Sequence, residues 1–426
     1  MDHKMNFFEV ELPLPNNEVD LAGFYPPRKW NGKGGGLLAS FLSINLENDE
    51  TLLLGAFDVL FIDSGFKQKL QDKLGDSISI VLVASHTHSA PALANSVSSL
   101  GVVDEDWQQR VIDVVVKAIK SQCNYSGIVR FNYASKQTSL NVNRRKKTLM
   151  LDYSALKRGK FRLSRQIAMA SNFTGVVDNE IKALSFLNSD GEVKACIWCF
   201  GAHPVFHHDR NAISPDFPGV VRQKIKARYG DDCISIFLPG LAGSAIPNCK
   251  PKRFLDMTSK ERLIRMLPFH SALRPVDEKG YAEWGEDLAN QVVECTVISN
   301  QYPVSDFTVS YKAVTTPPIF NERTKGGLGM DIHVLQFDKS VSLEITNGEL
   351  LSEWVTVIEQ LPSKHCMRIT SGYGAGACLY IPPNSEVPRG GYEVERFKGP
   401  FGLDGDFIID IDEAFISGLK RAYKED

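Results

Sequence analysis

An α/β fold, a mixed β-sheet core with flanking helices, is what this sequence predicts, and three observations carry the prediction. Short apolar runs rich in Val, Ile and Phe recur, TLLLGAFDVLFI (51–62), ISIVLVAS (78–85), VKACIWCF (193–200) and CISIFLP (233–239), and each closes on turn or polar residues. Runs of this length and composition are strands buried on both faces. Between them, DWQQRVIDVVVKAIKSQ (106–122) sets Val111, Val114, Val115 and Ile119 on one helical face, and YAEWGEDLANQVVECTVI (281–298) carries a similar stripe. Finally, a 43% hydrophobic content over 426 residues supplies a large core. Strand ends are where such a class places its chemistry.

The remaining elements are connections and insertions. With no internal repeat or low-complexity linker, the chain reads as one domain over 1–426. Residues 144–165, RRKKTLMLDYSALKRGKFRLSR, hold nine Lys or Arg against one acid, the core of a basic insertion over about 144–172. It is either a solvated face or a docking surface for an anionic group. A second insertion, about 250–279, is polar and proline-punctuated, with no clear partner strand. Net charge is only −3, which argues for a small-molecule partner and against nucleic acid. The eight cysteines lack zinc-ribbon or disulfide-framework spacing and read as reduced core residues. The N-terminal MDHKMNFFEVELPLPNNEVD has no apolar export signal, and no run of about 18 apolar residues predicts a membrane span. Cytoplasmic location is the expectation.

His86 and His88 stand directly after the 78–85 run. If the strand continues through them, residues two apart share a face and both rings enter one pocket. The 193–200 run releases His203, then His207 and His208, so five of the nine histidines follow two strands. Imidazole nitrogens plus a carboxylate and a water are what catalytic zinc takes, and Glu349, in the NGELL turn after VSLEIT, is the candidate carboxylate. Each has a plainer alternative: a hydrogen-bonded histidine pair, and a helix N-terminal acid. Asp58 and Asp216, by their strand-end positions, are candidates to orient ligating imidazoles through their second nitrogens.

At this point a family resemblance emerges. SHTHSAP (85–91), LNVNRR (140–145), FGAHPVFHHDRNAISPDFPG (200–219), NGELL (347–351) and LYIPPNSEVPRGGYE (379–393) resemble, in order, motifs of the neutral ceramidase catalytic domain, and the chain is nearer still to that family's shorter bacterial members. The resemblance spans about residues 6–420. It implies one zinc ion per chain at strand ends, bound by His86, His203, Glu349 and Tyr380, with His88 and Arg144 facing the substrate amide. Tyr392, twelve residues beyond Tyr380, would line the pocket, and His207 and Asn248 complete the expected substrate side. In the family's Gly-Asp-Val-Ser-Pro-Asn element, Ile246 replaces the serine here, and Ser244 takes the aspartate's place.

A zinc-dependent N-deacylase follows, in which metal-activated water attacks the amide without an acyl-serine. His88 or the His207/His208 pair would protonate the leaving nitrogen, and Glu349 is open as ligand or base on its residues alone. An N-acetylated sugar or sugar nucleotide is the first substrate class considered, suited to the basic insertion. Ceramide cleavage is the alternative, and an inactive metal-holding protein or a zinc ester or phosphate hydrolase are the others.

Overall fold

Consecutive residues of a strand face opposite ways, and Phe7 and Phe8 of the Met5–Glu11 strand show where each way leads. The Phe7 ring meets Phe186 of a second sheet at 4.7 Å. Phe8 stacks on Phe41, and from there ring contacts run through Phe57 to Phe66 of the Ser64–Leu74 helix. Two sheets therefore lie face to face with helices outside them. In this computed structural model the described residues are 5–46, 50–122, 127–151, 158–266, 273, 275–297, 300–303, 308–323, 326–337, 340–361, 365–376, 378–408 and 410–423.

The larger sheet has eight strands in the order Met5–Glu11, Leu38–Asn45, Thr51–Phe57, Ile78–Ala84, Met367–Gly374, Val341–Asn347, Asp331–Phe337 and Val309–Thr315. It is mixed: 51–57 runs parallel to 78–84 and 341–347 parallel to 367–374, while the other neighbours are antiparallel. The second sheet orders Ile234–Pro239, Val193–Phe200, Glu180–Asn188, Ile128–Gln137 and Asn300–Pro303, with 193–200 parallel to 234–239. Phe131, Phe186 and Phe337 fill the space between the sheets. The far face of the smaller sheet, with Trp198, Phe200 and Phe237, packs on helices Phe217–Tyr229 and Glu278–Val297.

The four predicted runs are strands, and the first stops early, at Phe57, because the next residues turn to receive another segment: the Val59 carbonyl accepts His86 N–H at 2.9 Å. The first predicted helix spans Glu105–Ser121, with Asp104 capping Trp107 N–H at 2.8 Å and Val111 and Val115 buried. An N-cap of this kind is worth about 1 kcal/mol. The second spans Glu278–Val297; position 298 of its predicted run lies outside the described residues.

The basic insertion is a β-hairpin arm, Asn141–Leu151 paired antiparallel with Leu163–Asn172. Its root differs from the solvated or anion-docking face expected of it: Arg144 and Arg145 are buried and ion-paired, while Lys146 and Lys147 are exposed. Residues 152–157 of this insertion, and 267–272 and 274 of the polar one, lie outside the described residues. The polar insertion contributes a short helix, Ser259–Met266, and no described strand. Among the described residues seven cysteines are free thiols, five of them buried. No described helix is long and apolar enough to cross a membrane.

Candidate active site

Three strand ends from the two facing sheets meet at one place. His86 follows Ile78–Ala84, His203 follows Val193–Phe200, and Glu349 follows Val341–Asn347. Glu349 sits in a two-residue parallel bridge directly opposite Tyr380, which fixes those two side chains as neighbours. Gly348 before it has φ +79°, and a Cβ there would stand 2.8 Å from the Leu379 carbonyl, so the turn requires glycine.

His86 and His88 do not meet through strand alternation. The strand ends at Ala84, and His86 adopts φ +65°, a left-handed conformation uncommon outside glycine. Tyr373, facing it, has φ +64°. Two such residues in ring contact, 4.4 Å between centroids, mark a place where backbone strain of about 1–3 kcal/mol each is tolerated to aim side chains. Hydrogen bonds from His86 N–H to Val59 and from Tyr373 N–H to Gly348, at 2.9 and 2.7 Å, hold the two in place.

The side chains converge on one Glu349 oxygen. Oε2 lies 3.3 Å from His86 Nε2 and 3.1 Å from His203 Nε2. His88 Nε2 is 3.4 Å from His86 Nε2, and the Tyr380 hydroxyl 3.5 Å from His203 Nε2. Glu349 Oε1 is buried without a hydrogen-bond partner. Both buried imidazoles point Nδ1 at main-chain carbonyls, His86 at Leu60 (2.9 Å) and His203 at Ala242 (2.6 Å) and Ala245 (3.2 Å). Carbonyls only accept, so each Nδ1 carries a proton, and in a neutral ring the Nε2 lone pair then faces the carboxylate. Lone pairs facing an anionic oxygen at this range require a positive charge among them. His86, His88 and His203 form a group that could hold a metal ion.

Protons on the imidazoles are one way to supply that charge. Burial opposes charge on Glu349, but His86 and His203 outweigh it and hold the carboxyl well below the usual range. Burial, then the Arg144 cation, draws His203 down to about 4. Burial with His86 and His203 draws His88 well below its ordinary value. Burial and the Glu349 charge push the Tyr380 phenol well up, against Arg144. The Arg144 guanidinium donates at 2.9 Å to the Tyr380 hydroxyl, the Gly243 carbonyl and Glu393. Glu393 also receives Arg145, which in turn pairs with Glu386, making a buried chain of alternating charge behind Tyr380.

His86, His88, His203, Glu349 and Tyr380 are thus brought together, with Arg144 behind Tyr380 and the half-buried Tyr392 ring 5.8 Å from it. Two predicted substrate residues stand apart. His207 Nδ1 donates to the Asp209 carbonyl and the ring packs on Tyr281 in a separate cleft of about 990 Å³, and Asn248 donates to the Ser139 carbonyl. They sit on loops whose course the strand-end pattern does not encode. Asp58 and Asp216 do not orient the imidazoles: Asp58 binds Arg222 and Leu38 N–H, and Asp216 caps Phe217 and receives Tyr281. Main-chain carbonyls take that role instead. Ser244 donates to Glu353 and accepts Ser352 N–H, and Ile246 is buried in the hairpin root.

Sequence reading missed Tyr373, 1% exposed, whose hydroxyl lies 3.5 Å from Glu349 Oε2. Its signal was the Gly-Tyr-Gly at a strand end, residues 372–374.

No family model and no curated protein matches the chain. Among solved structures, it superposes on the neutral ceramidase from Pseudomonas aeruginosa with TM-score 0.70 at 16% identity, covering 99% of this chain and 75% of that one. It superposes on a ceramidase complexed with C2 with TM-score 0.64 at 15% identity, covering 95% and 72%. The fold is neutral-ceramidase-like.

Proposed function

We propose that this protein is a zinc-dependent hydrolase of N-acyl amides, with His86, His203, Glu349 and Tyr380 holding the metal and 1–426 acting as one catalytic domain. One observation carries the reading. Four donor atoms, with contacts of 3.1, 3.3 and 3.5 Å, converge on one point, two imidazole nitrogens meeting a single carboxylate oxygen. Tetrahedral zinc with bonds of about 2.0–2.1 Å spaces its ligands about 3.3–3.4 Å apart. The donor set of neutral imidazoles and a carboxylate suits that ion, and the Nδ1 contacts to carbonyls are the usual support.

Zinc bound there would acidify a water and polarise the amide carbonyl. The chain's own groups do the rest. Arg144 holds the Tyr380 oxygen in place and favours its phenolate. His88, neutral at pH 7 and half-buried beside the cluster, takes a proton from the attacking water on Nε2 and returns it to the leaving nitrogen. With Ser244 committed to Glu353 and Ile246 at the family's serine position, water attacks directly and no acyl-enzyme forms.

Phe61 packs on His86 at 4.9 Å, and Phe397 and Phe401 pack on Tyr380 at 5.3 and 5.7 Å, buried rings that make the surroundings of the cluster apolar. Arg144 and Arg145 are spent in ion pairs, so the basic insertion's root offers nothing to a sugar nucleotide. A ceramide-type lipid amide is therefore the favoured class, in line with the ceramidases that share the fold.

Zinc-loaded protein should release fatty acid from N-dodecanoylsphingosine, with no acyl adduct by intact mass spectrometry, and His88→Ala should abolish turnover with zinc retained. Bound zinc with no turnover on any N-acyl amide would make this a metal-holding protein instead.

A further inference from the structure

We propose that Arg28 and Arg210 form an anion-binding subsite at the mouth of the cluster, which takes a phosphate or carboxylate carried by the substrate. This rests on the amide hydrolase reading and narrows its substrate class. His86, His203, Glu349 and Tyr380 are buried, whereas His88 is half-buried, so the cluster opens on the His88 side. Gly23 backs that ring so closely that a Cβ would lie 2.4 Å from its Nδ1, and the Phe24 ring stands edge-on to it at 5.0 Å. The Arg28 guanidinium lies over Phe24, its Cζ 3.4 Å from the ring centroid. Two ring contacts thus set this arginine on the half-buried side of the cluster, beyond Phe24 from His88.

The cation is held but not neutralised. Arg28 Nη1 donates to the Arg210 carbonyl at 2.8 Å, and Nη2 is buried with no partner. Among the described residues no carboxylate pairs with Arg28 or Arg210. The nearby acids are engaged: Asp20 holds Lys29 at 2.8 Å, and Asp209 receives Asn31 Nδ2 and Asn211 N–H. Burial and the neighbouring Arg210 charge draw Arg28 down to about 10. An uncompensated, partly buried cation beside a second cation is costly. An arriving anion removes that cost and gains charge-assisted hydrogen bonds from a planar donor already stacked in place.

The probe is inorganic phosphate, titrated calorimetrically at low ionic strength into zinc-loaded wild type, Arg28→Gln, Arg210→Gln and Lys29→Gln. Binding should weaken at least about tenfold in the first two variants and stay unchanged in Lys29→Gln. No binding by wild type would overturn the subsite, and so would binding untouched by Arg28→Gln and lost only in Glu349→Gln, which would place the anion on the metal. In parallel, N-dodecanoylethanolamine, its O-phosphate and N-dodecanoylglycine are compared as substrates. Wild type should favour the anionic pair by kcat/KM, and Arg28→Gln should cut that preference about tenfold. A larger change for the phosphate or for the carboxylate tells which anion the site is built for. If no amide is cleaved while phosphate binding still answers to Arg28, the hydrolase reading fails and the subsite stands.

Discussion

His203 and His333 are both drawn down to about 4, chiefly by burial, yet they belong to different kinds of place. His333 sits in the Asp331–Phe337 strand with Nδ1 2.8 Å from the Tyr311 hydroxyl and its ring parallel to that tyrosine. One donor, one acceptor and a stacked neighbour account for its polar contact. At His203, Nδ1 is satisfied by carbonyls, and Nε2 faces the Glu349 carboxylate at 3.1 Å and the Tyr380 hydroxyl at 3.5 Å, so a neutral ring would set its lone pair against an anionic oxygen. A displaced pKa reports desolvation in both. Convergent lone pairs, and a carboxylate oxygen with no partner, distinguish the site.

Metal content breaks or sustains this contrast most directly. His203→Ala and Glu349→Gln should each lower zinc affinity by at least about a hundredfold, measured by chelator competition and elemental analysis, while His333→Gln leaves it unchanged. Equal zinc in all three would end the distinction.

Tyr373→Phe comes next. Removing one hydroxyl beside Glu349 while keeping the ring on His86 should cost about tenfold in zinc affinity, the scale typical of groups that orient ligands. Stability should barely move, so a melting temperature near wild type with weakened zinc is the expected pair of results.

The pH dependence sharpens the comparison further. A histidine whose folded pKa lies below its unfolded value of about 6.5 adds stability that is fully present above pH 6.5 and is lost as pH falls towards 4. For the fully buried His203, the loss is on the order of 2 kcal/mol in metal-free protein. Urea unfolding of metal-free protein at pH 7.5, 6, 5 and 4 should show it. Added zinc should restore stability at pH 7.5 but progressively less on acidification, since protons and metal compete for the same nitrogens. In His333→Leu the slope should flatten by about 1 kcal/mol, the half-buried ring being partly screened, with the zinc response intact.

Smallest in its effect on the metal is Asp58→Asn. Stability should fall, because Arg222 loses a buried partner at 2.6 Å, yet zinc stoichiometry should remain that of wild type. Lost zinc would return Asp58 to the role that the Leu60 carbonyl fills at His86.

Much of this was legible in the sequence. Apolar runs announced the strands whose ends carry His86 and His203, because a buried strand needs uninterrupted apolar residues wherever it sits. Ile246 in place of a serine was a local substitution and could be read locally. Other features depended on contacts across the fold. Alternation along a strand suggested that His86 and His88 share a face, but a left-handed residue performs that turn, and backbone dihedrals are not spelled in side chains. The orienting partners are carbonyls of Leu60, Ala242 and Ala245, which every residue type possesses, so no letter marks them. His207 follows a strand as His203 does, yet its loop carries it to another cleft. Arg144, at the head of a basic run, read as a cation facing the substrate amide, and only the fold brings Glu393, 249 positions away, beside it. Sequence determined which residues could bind and where strands end; only tertiary packing decided which lone pairs are left facing one another, because that depends on what every other polar group has already satisfied.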